Sequence, residues 1–351
     1  MKEIYSSLDA NINRCIEGLR VCEDIFRFGL KNIFSAEFKN LRHSATEIIS
    51  SIPIDLLLTG RDVSHDEQKF INTSGEMKRE NIKDIFRSNI HRAIEASRVI
   101  EEISKSINTN VSERFQQIRF TLYDLEKKGW FIIEKTDLMS KFHYSLYAII
   151  DSGYVPIDQM EDTSKILIDS GAEIIQLRIK NISDKVFLSI AEKISKVCKD
   201  NSALFIVNDR ADIAILSEAG GVHLGQDDIP MQRAKSILGE KFITGISVSN
   251  IDEAGRDDAD YIAVGPVFQT ASKFAEDGNR LDCVDINVVK EICNSTGKPV
   301  AAIGGVSESN IGILADAGIL SFAVISALFK DGKVSENTKR LINVIKSYRE
   351  L

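Results

Sequence analysis

Apolar positions along this chain follow two rhythms, and the change comes near residue 140. From residue 1 to about 135 they recur at three- and four-residue spacing and glycine is scarce, which predicts amphipathic helices. Beyond that point, short runs rich in Val and Ile alternate with helical stretches such as "DKVFLSIAEKISKVCKD" (184–200). Eight of these runs read as strands: "YSLYAII" (144–150), "EIIQLR" (173–178), "ALFIVN" (203–208), "GVHLG" (221–225), "FITGIS" (242–247), "DYIAVG" (260–265), "PVAAIG" (299–304) and "LSFAVIS" (320–326). Apolar strands separated by helices call for a parallel sheet covered by helices. Eight units in about 210 residues match a (β/α)8 TIM barrel more closely than an open sheet. The expected fold class is α/β: a TIM barrel over 141–351, preceded by a smaller all-α helical domain over 1–135. The join falls in "KKGWFIIEKTDLMSKF" (127–142), with Trp130 expected to pack where the halves meet.

The helical half carries an internal repeat. "NINRCIEGLRVCEDI" (11–25) matches "NIHRAIEASRVIEEI" (89–103) at a constant offset, so that Asn11, Arg14, Glu17, Arg20, Val21 and Glu23 recur as Asn89, Arg92, Glu95, Arg98, Val99 and Glu101. At helical pitch Ile12, Cys15, Ile16, Leu19 and Phe26 share one arc, with Glu23 inside it and Arg20 at its edge. Two accounts fit. One is an i,i+3 ion pair at the rim of a bundle, worth a few tenths of a kcal/mol. The other is a charged pocket between two related helices, to which "LRHSATE" (41–47) and "GRD" (60–62) add Arg42, His43, Arg61 and Asp62.

Composition narrows the partners. The 351 residues are 43% hydrophobic and 27% charged with a net charge of −8, ordinary soluble material that argues against nucleic acid or an anionic membrane surface. No run reaches the ~18 uninterrupted apolar residues of a membrane span, and the opening "MKEIYSSLDANINR" lacks the apolar stretch of a signal peptide. The five cysteines (Cys15, Cys22, Cys198, Cys283, Cys293) form no CxxC pair, which points to small buried side chains in a reducing cytoplasm.

In such barrels chemistry collects where the strands end. The second strand brings Gln176, Arg178 and Lys180, sent to one side by alternation; the third brings Asn208 and Asp209. The fourth ends in Gln226, Asp227 and Asp228, the fifth in Ser247, and the sixth in "GPVFQTASK" with Thr270, Ser272 and Lys273. Gly304 and Gly305 follow the seventh, and Ile325 and Ser326 the eighth. Carboxylates on neighbouring strands suit Mg²⁺, a hard cation that takes one or two carboxylates plus phosphate oxygens. Arg and Lys beside them complete a diphosphate cradle, and backbone N–H groups after the last two strands suit a separate phosphate. Each element has a plainer account: an Asp209–Arg210 surface pair, Asp228 capping the next helix, a Gly-Gly turn. Their coincidence at one strand end after another is harder to dismiss.

The runs "QLRIK", "VNDRADIA", "GGVHLGQDD", "GISV", "ADYIAVGPVFQTASK" and "PVAAIGGV" resemble thiamine-phosphate synthase in order and spacing over about 144–345. That family joins hydroxymethylpyrimidine diphosphate to thiazole phosphate with Mg²⁺, giving thiamine phosphate and diphosphate. The resemblance implies that Gln176, Arg178, Lys180, Asn208, Ser247 and Lys273 hold the pyrimidine diphosphate. It implies Asp209 and Asp228 as metal ligands, with Asp227 a neighbour. It implies Thr270, Ser272, Gly305, Ile325 and Ser326 around the thiazole phosphate, and Arg178, Lys273 and Ser247 as the groups acting in the chemical step. Ile179 stands where the family usually has an acidic residue, and is expected to face away from the mouth as a packing difference; "KFAEDGNRLD" (273–282) differs in detail. The implied step is a dissociative displacement needing no protein nucleophile or general base. His223 is expected to pack in the barrel wall.

"DANINRCIEGLRVCEDIFRF", "LRH", "GRD" and "NIHRAIEASRVIEE" resemble the helical extension fused ahead of some of these synthases, proposed to phosphorylate hydroxymethylpyrimidine phosphate, although residues 1–135 hold no Gly-rich phosphate loop. The alternatives are a tautomerase-like barrel acting on thiazole phosphate alone, and a helical half that serves binding or homo-oligomerisation without chemistry.

Overall fold

The computed structural model describes residues 2–61, 78–256, 258–270 and 282–349. The chain divides into two compact units, Met1–Thr136 and Asp137–Leu351.

The first unit is helical. It comprises α1 (Lys2–Asp24), a π-helical turn (Ile25–Gly29), α2 (Ser35–Ile49), α3 (Ile54–Gly60), α4 (Ile82–Ser104) and most of α5 (Thr109–Ser140). The repeat lies on α1 and α4, which pack side by side, and both copies use their shared residues alike. Asn11 and Asn89 each donate from Nδ2 to the carbonyl four residues back, at 2.8 Å. Glu23 is buried and bonded by Arg42 at 2.9 Å and Arg20 at 3.4 Å; Glu101 is buried and bonded by Arg98 and Arg119 at 2.8 Å. The pocket expected around Arg42 and Arg61 is not one site. Arg61 grips Asp9 with two bonds of 2.7 Å, whereas Arg42 holds Glu23. Asp9 and Glu23 lie fourteen residues apart on α1, roughly 21 Å along a helix. His43 is exposed, and Asp62 lies outside the described residues. Phe26 ties the unit together, stacking on Phe38 and meeting Phe86 edge-on, each at 5.5 Å. Trp130 lies on α5 with Lys83 Nζ 4.2 Å over its ring.

The second unit is a closed barrel of eight parallel strands in chain order, β1 to β8. The strands are β1 (Ser145–Asp151), β2 (Ile174–Arg178), β3 (Leu204–Asn208), β4 (Gly221–Leu224), β5 (Ile243–Val248), β6 (Tyr261–Val264), β7 (Val300–Ile303) and β8 (Ser321–Val324). Every expected strand is present, shifted by no more than a residue or two. The intervening helices include α6 (Met160–Asp169), α7 (Asp184–Asp200), α8 (Ala211–Leu216) and α9 (Met231–Leu238), and the Val and Ile side chains facing them form the larger hydrophobic core. Ile179 belongs to that outer layer, as expected. Cys15, Cys22 and Cys198 are buried, and burial pushes the Cys15 thiol up to about 12; Cys283, expected inside, is exposed. Among the described residues no helix is long and apolar enough to cross a membrane.

The barrel interior is a second, smaller core of Phe142, Tyr147, Ile149, Ile174, Leu204, Ile206, Ile243 and Tyr261, with alanines from β6, β7 and β8. Large rings fit only because small residues face them. Gly245 on β5 is paired in register with Tyr261 on β6, and a Cβ at Gly245 would fall 2.0 Å from the Tyr261 ring. Gly245→Ala is therefore expected to destabilise the barrel by about 3 kcal/mol, the upper range for overpacking, read as a lower denaturant midpoint. An unchanged midpoint would mean the ring has room to move.

Candidate active site

The carboxyl ends of the strands place most of the expected residues around one mouth. At the end of β3 the chain turns sharply: Asp209 adopts a left-handed φ of 65°, a conformation that Asn and Asp tolerate better than other non-glycine residues. Its backbone N–H donates to the His223 carbonyl on β4 at 2.8 Å, which fixes the turn to the neighbouring strand. The Asp209 carboxylate accepts from Lys180 Nζ at 2.7 Å. Arg210 takes no part in this. It pairs instead with Asp184 and Asp212, each at 2.6 Å.

Asp228 approaches from the end of β4. Its Oδ2 accepts the Gly225 backbone N–H at 2.6 Å, so the carboxylate closes a turn at the strand end instead of capping α9, which begins beyond Pro230. Burial raises the Asp228 carboxyl above the usual range, and the adjoining Asp209 raises it further, while the Gly225 N–H and Lys180 oppose the shift. Two carboxylates thus meet across the mouth with one lysine against them. Asp227 is exposed. Among the described residues no group of three or more His, Cys, Asp and Glu is placed to hold a metal. That donor set fits an ion that draws its other ligands from water and phosphate oxygens, the habit of Mg²⁺, and not one needing a full protein cage.

Arg178 has a partner that the sequence reading missed. Asp151 ends β1 directly opposite Arg178 in the parallel register, and Arg178 NH1 donates to its Oδ2. The carboxylate is buried and also accepts the Gly153 N–H at 2.7 Å, so it is fixed from two sides. An acidic residue closing the first strand was a visible signal, but only the strand pairing supplies its meaning. Lys180 is anchored through its backbone N–H to Ser152 Oγ at 3.2 Å, on the same β1 loop.

His223 corrects an expectation. Val222 and Leu224 face the outer core, so alternation along β4 turns His223 into the barrel interior rather than its wall. There Nδ1 meets the Tyr261 hydroxyl and Nε2 the Ser247 hydroxyl, both at 2.9 Å. Gln226 Nε2 donates to the Ser247 carbonyl at 2.6 Å. Gln176 lies buried beside them, whereas Asn208 is half-buried at the tip of β3.

On the far side of the mouth, the loop after β6 crosses the end of β7. Val267 N–H donates to Ile303 O at 2.9 Å and Phe268 N–H to Gly304 O at 3.1 Å. Gly304 and Gly305 take φ values of 97° and 65°, and a Cβ on either would come within 2.7 Å of that loop. Glycine is therefore required at both by conformation and by space. Asn310 Nδ2 holds the Gly305 carbonyl at 3.0 Å. Ile325 and Ser326 stand at the start of the short helix after β8, and Thr270 is half-buried at the end of the β6 loop. Ser272, Lys273 and nearly all of the 273–282 stretch lie outside the described residues.

A closed parallel barrel with cations, carboxylates and a glycine turn gathered at its strand ends has the layout of a barrel enzyme for phosphorylated substrates. Residues 146–328 match the family described as Thiamine monophosphate synthase, and residues 6–128 match the ThiD2 family. A thiamine-phosphate synthase of Prochlorococcus marinus subsp. pastoris is 36% identical over 338 residues, 93% of this chain and 90% of that protein. One from Nostoc sp. is 32% identical over 349 residues, 97% of this chain and 93% of that protein. The solved thiamine phosphate pyrophosphorylase of Pyrococcus furiosus, 30% identical, overlays 61% of this chain and 98% of its own with a TM-score of 0.53. The chain belongs to the thiamine-phosphate synthase family of transferases.

The Asp151–Arg178 pair generates a prediction. Asp151→Asn should lower kcat/KM for a diphosphate substrate by about 10- to 100-fold, the ~1.5–3 kcal/mol of a charge-assisted bond. Unchanged kinetics would show that Arg178 needs no such support.

Proposed function

We propose that the barrel joins hydroxymethylpyrimidine diphosphate to thiazole phosphate. The bond between the pyrimidine methylene carbon and the diphosphate oxygen breaks, diphosphate departs with the electron pair, and the thiazole nitrogen lone pair forms the new C–N bond of thiamine phosphate. The observation that carries the reading is the meeting of Asp209 and Asp228 across the mouth, with Lys180 beside them and Arg178 fixed by Asp151. Four charged groups so arranged suit a leaving group that gains negative charge.

Each residue then has a task. Gln176, Asn208 and Ser247 orient the pyrimidine ring. Arg178, Lys180 and Lys273 bind the diphosphate and offset the charge it acquires on leaving. Thr270, Ser272 and the backbone at Gly305, Ile325 and Ser326 hold the thiazole phosphate, so its ring nitrogen faces the reacting carbon. Asp209 and Asp228 would hold Mg²⁺, which would add neutralisation of the charge on the diphosphate. No side chain need act as nucleophile, because the attacking lone pair is the substrate's own. A tautomerase acting on thiazole phosphate alone is the less favoured reading, since it leaves Arg178, Lys180 and the carboxylate pair without work.

Thermal unfolding, read beside product formation, separates these readings. Mg²⁺ with diphosphate should raise the melting temperature of the wild type, by about 2.7 kcal/mol of stability at a hundred times Kd. Asp209→Asn and Asp228→Asn should abolish that shift and formation of thiamine phosphate together. Because Asp228 titrates above its ordinary range, Asp228→Asn should not destabilise the metal-free protein at neutral pH: a carboxyl whose pKa is raised on folding opposes folding once pH exceeds its unfolded value. A full shift in both variants, with synthesis intact, would refute the metal assignment.

A further inference from the structure

Beneath the mouth, five side chains from five different strands form one continuous hydrogen-bonded chain. Gln176 Nε2 on β2 donates to the Tyr147 hydroxyl on β1 at 2.6 Å. Tyr147 meets the Tyr261 hydroxyl on β6 at 2.8 Å. Tyr261 meets His223 Nδ1 on β4, and His223 Nε2 meets Ser247 Oγ on β5, both at 2.9 Å. Four of the five are buried, and only Ser247 at the end is half-exposed. Gln176 and Ser247, the two ends, are the residues assigned above to the pyrimidine. The three middle groups carry no task in that assignment, yet interior positions in such barrels are normally filled by branched apolar side chains.

One proton order uses both tyrosine hydroxyls as donor and acceptor at once. Tyr147 accepts from Gln176, which leaves its own proton for Tyr261. In that order the Tyr261 proton goes to the imidazole, whereas in the reverse order Tyr147 accepts twice and its buried proton has no acceptor within the relay. A proton delivered to Nδ1 makes that nitrogen an acceptor and leaves hydrogen on Nε2. Nε2–H then donates to Ser247 Oγ, and the serine proton must point elsewhere. Burial raises both tyrosine hydroxyls well above their ordinary range, so neither ceases to be a donor at physiological pH.

We propose that His223 is a positioning residue: fixed as the Nε2–H tautomer by Tyr261, it donates to Ser247 Oγ and turns the Ser247 hydroxyl outward as a donor to an acceptor atom on the bound pyrimidine. This rests on Ser247 contacting that substrate. His223 itself touches no reacting atom. Its contribution is pre-organisation: the serine hydroxyl loses no freedom on binding, because the relay has already chosen its rotamer.

Two measurements test it. In wild-type protein with ¹⁵N-labelled histidine, the His223 ring, assigned by its disappearance in His223→Gln, should show an unprotonated Nδ1 and a protonated Nε2. An Nδ1–H ring reverses the chain and overturns the inference, whatever any variant does. In steady-state synthesis, Ser247→Ala and His223→Asn should each lower kcat/KM for the pyrimidine diphosphate by about 10-fold or more. His223→Gln, whose amide can take the place of Nε2–H, should restore part of the loss. Combining Ser247→Ala with His223→Asn should cost no more than Ser247→Ala alone. If the two losses multiply, His223 acts through packing and the inference falls while the Ser247 assignment stands. If Ser247→Ala is silent, the reading of the site fails at Ser247 and the inference falls with it.

Discussion

Like charge at close range is the constraint around which the mouth of this barrel is arranged. Asp209 and Asp228 extend from adjacent strands, and each is held in place by a backbone hydrogen bond at its strand end. Asp209 is locked into a left-handed turn by the His223 carbonyl, and Asp228 is pinned to the Gly225 N–H. The left-handed turn at Asp209 costs on the order of 1–3 kcal/mol and persists where the surroundings over-determine it. Lys180 offsets part of the repulsion, but the Asp228 carboxyl still sits above its usual range. A protein built only for stability would separate these groups or replace one with an amide.

The remaining charges fit that constraint. Arg178 is held by a buried carboxylate rather than left free, so its guanidinium is fixed in direction at the end of β2. Across the mouth stand two glycines whose torsions and close neighbours admit no side chain. The two halves of the mouth thus differ: cations and a carboxylate pair on one side, a glycine turn and the start of the short helix after β8 on the other. Below both, a polar relay runs among the aliphatic side chains of the interior and ties Ser247 at the mouth to the barrel's own packing.

Much of this was legible in the chain, and the reasons for the gaps are physical. Strand periodicity and turn residues locate all eight strands, because each is a short, doubly buried run bounded by polar residues. The strand-end rule then collects Gln176, Arg178, Lys180, Asp209, Asp228 and Ser247. Missed were Asp151, Tyr147 and Tyr261, and His223 was misplaced. The meaning of Asp151 depends on which residue of β2 stands opposite it, and register is not written in a single strand. "GVHLG" gives an ambiguous facing because its alternate positions are glycines, which pack on neither side. Only the placement of Val222 and Leu224 in the outer core settles where His223 turns. In the helical half, the repeat and the buried place of Glu23 followed from pitch alone. Its partner Arg42 on α2, and the Asp9–Arg61 pair, come from tertiary packing that no local pattern encodes.

The central claim is that the two strand-tip carboxylates share a divalent ion with the diphosphate. Crystals grown with Mn²⁺ in place of Mg²⁺ and soaked with diphosphate would test it most directly, through the anomalous signal of the metal. The account predicts one strong peak bonded to oxygens of Asp209, Asp228 and the diphosphate. Diphosphate bound by Arg178 and Lys180 with no metal at the carboxylates, or a peak at some other place on the barrel, would contradict it.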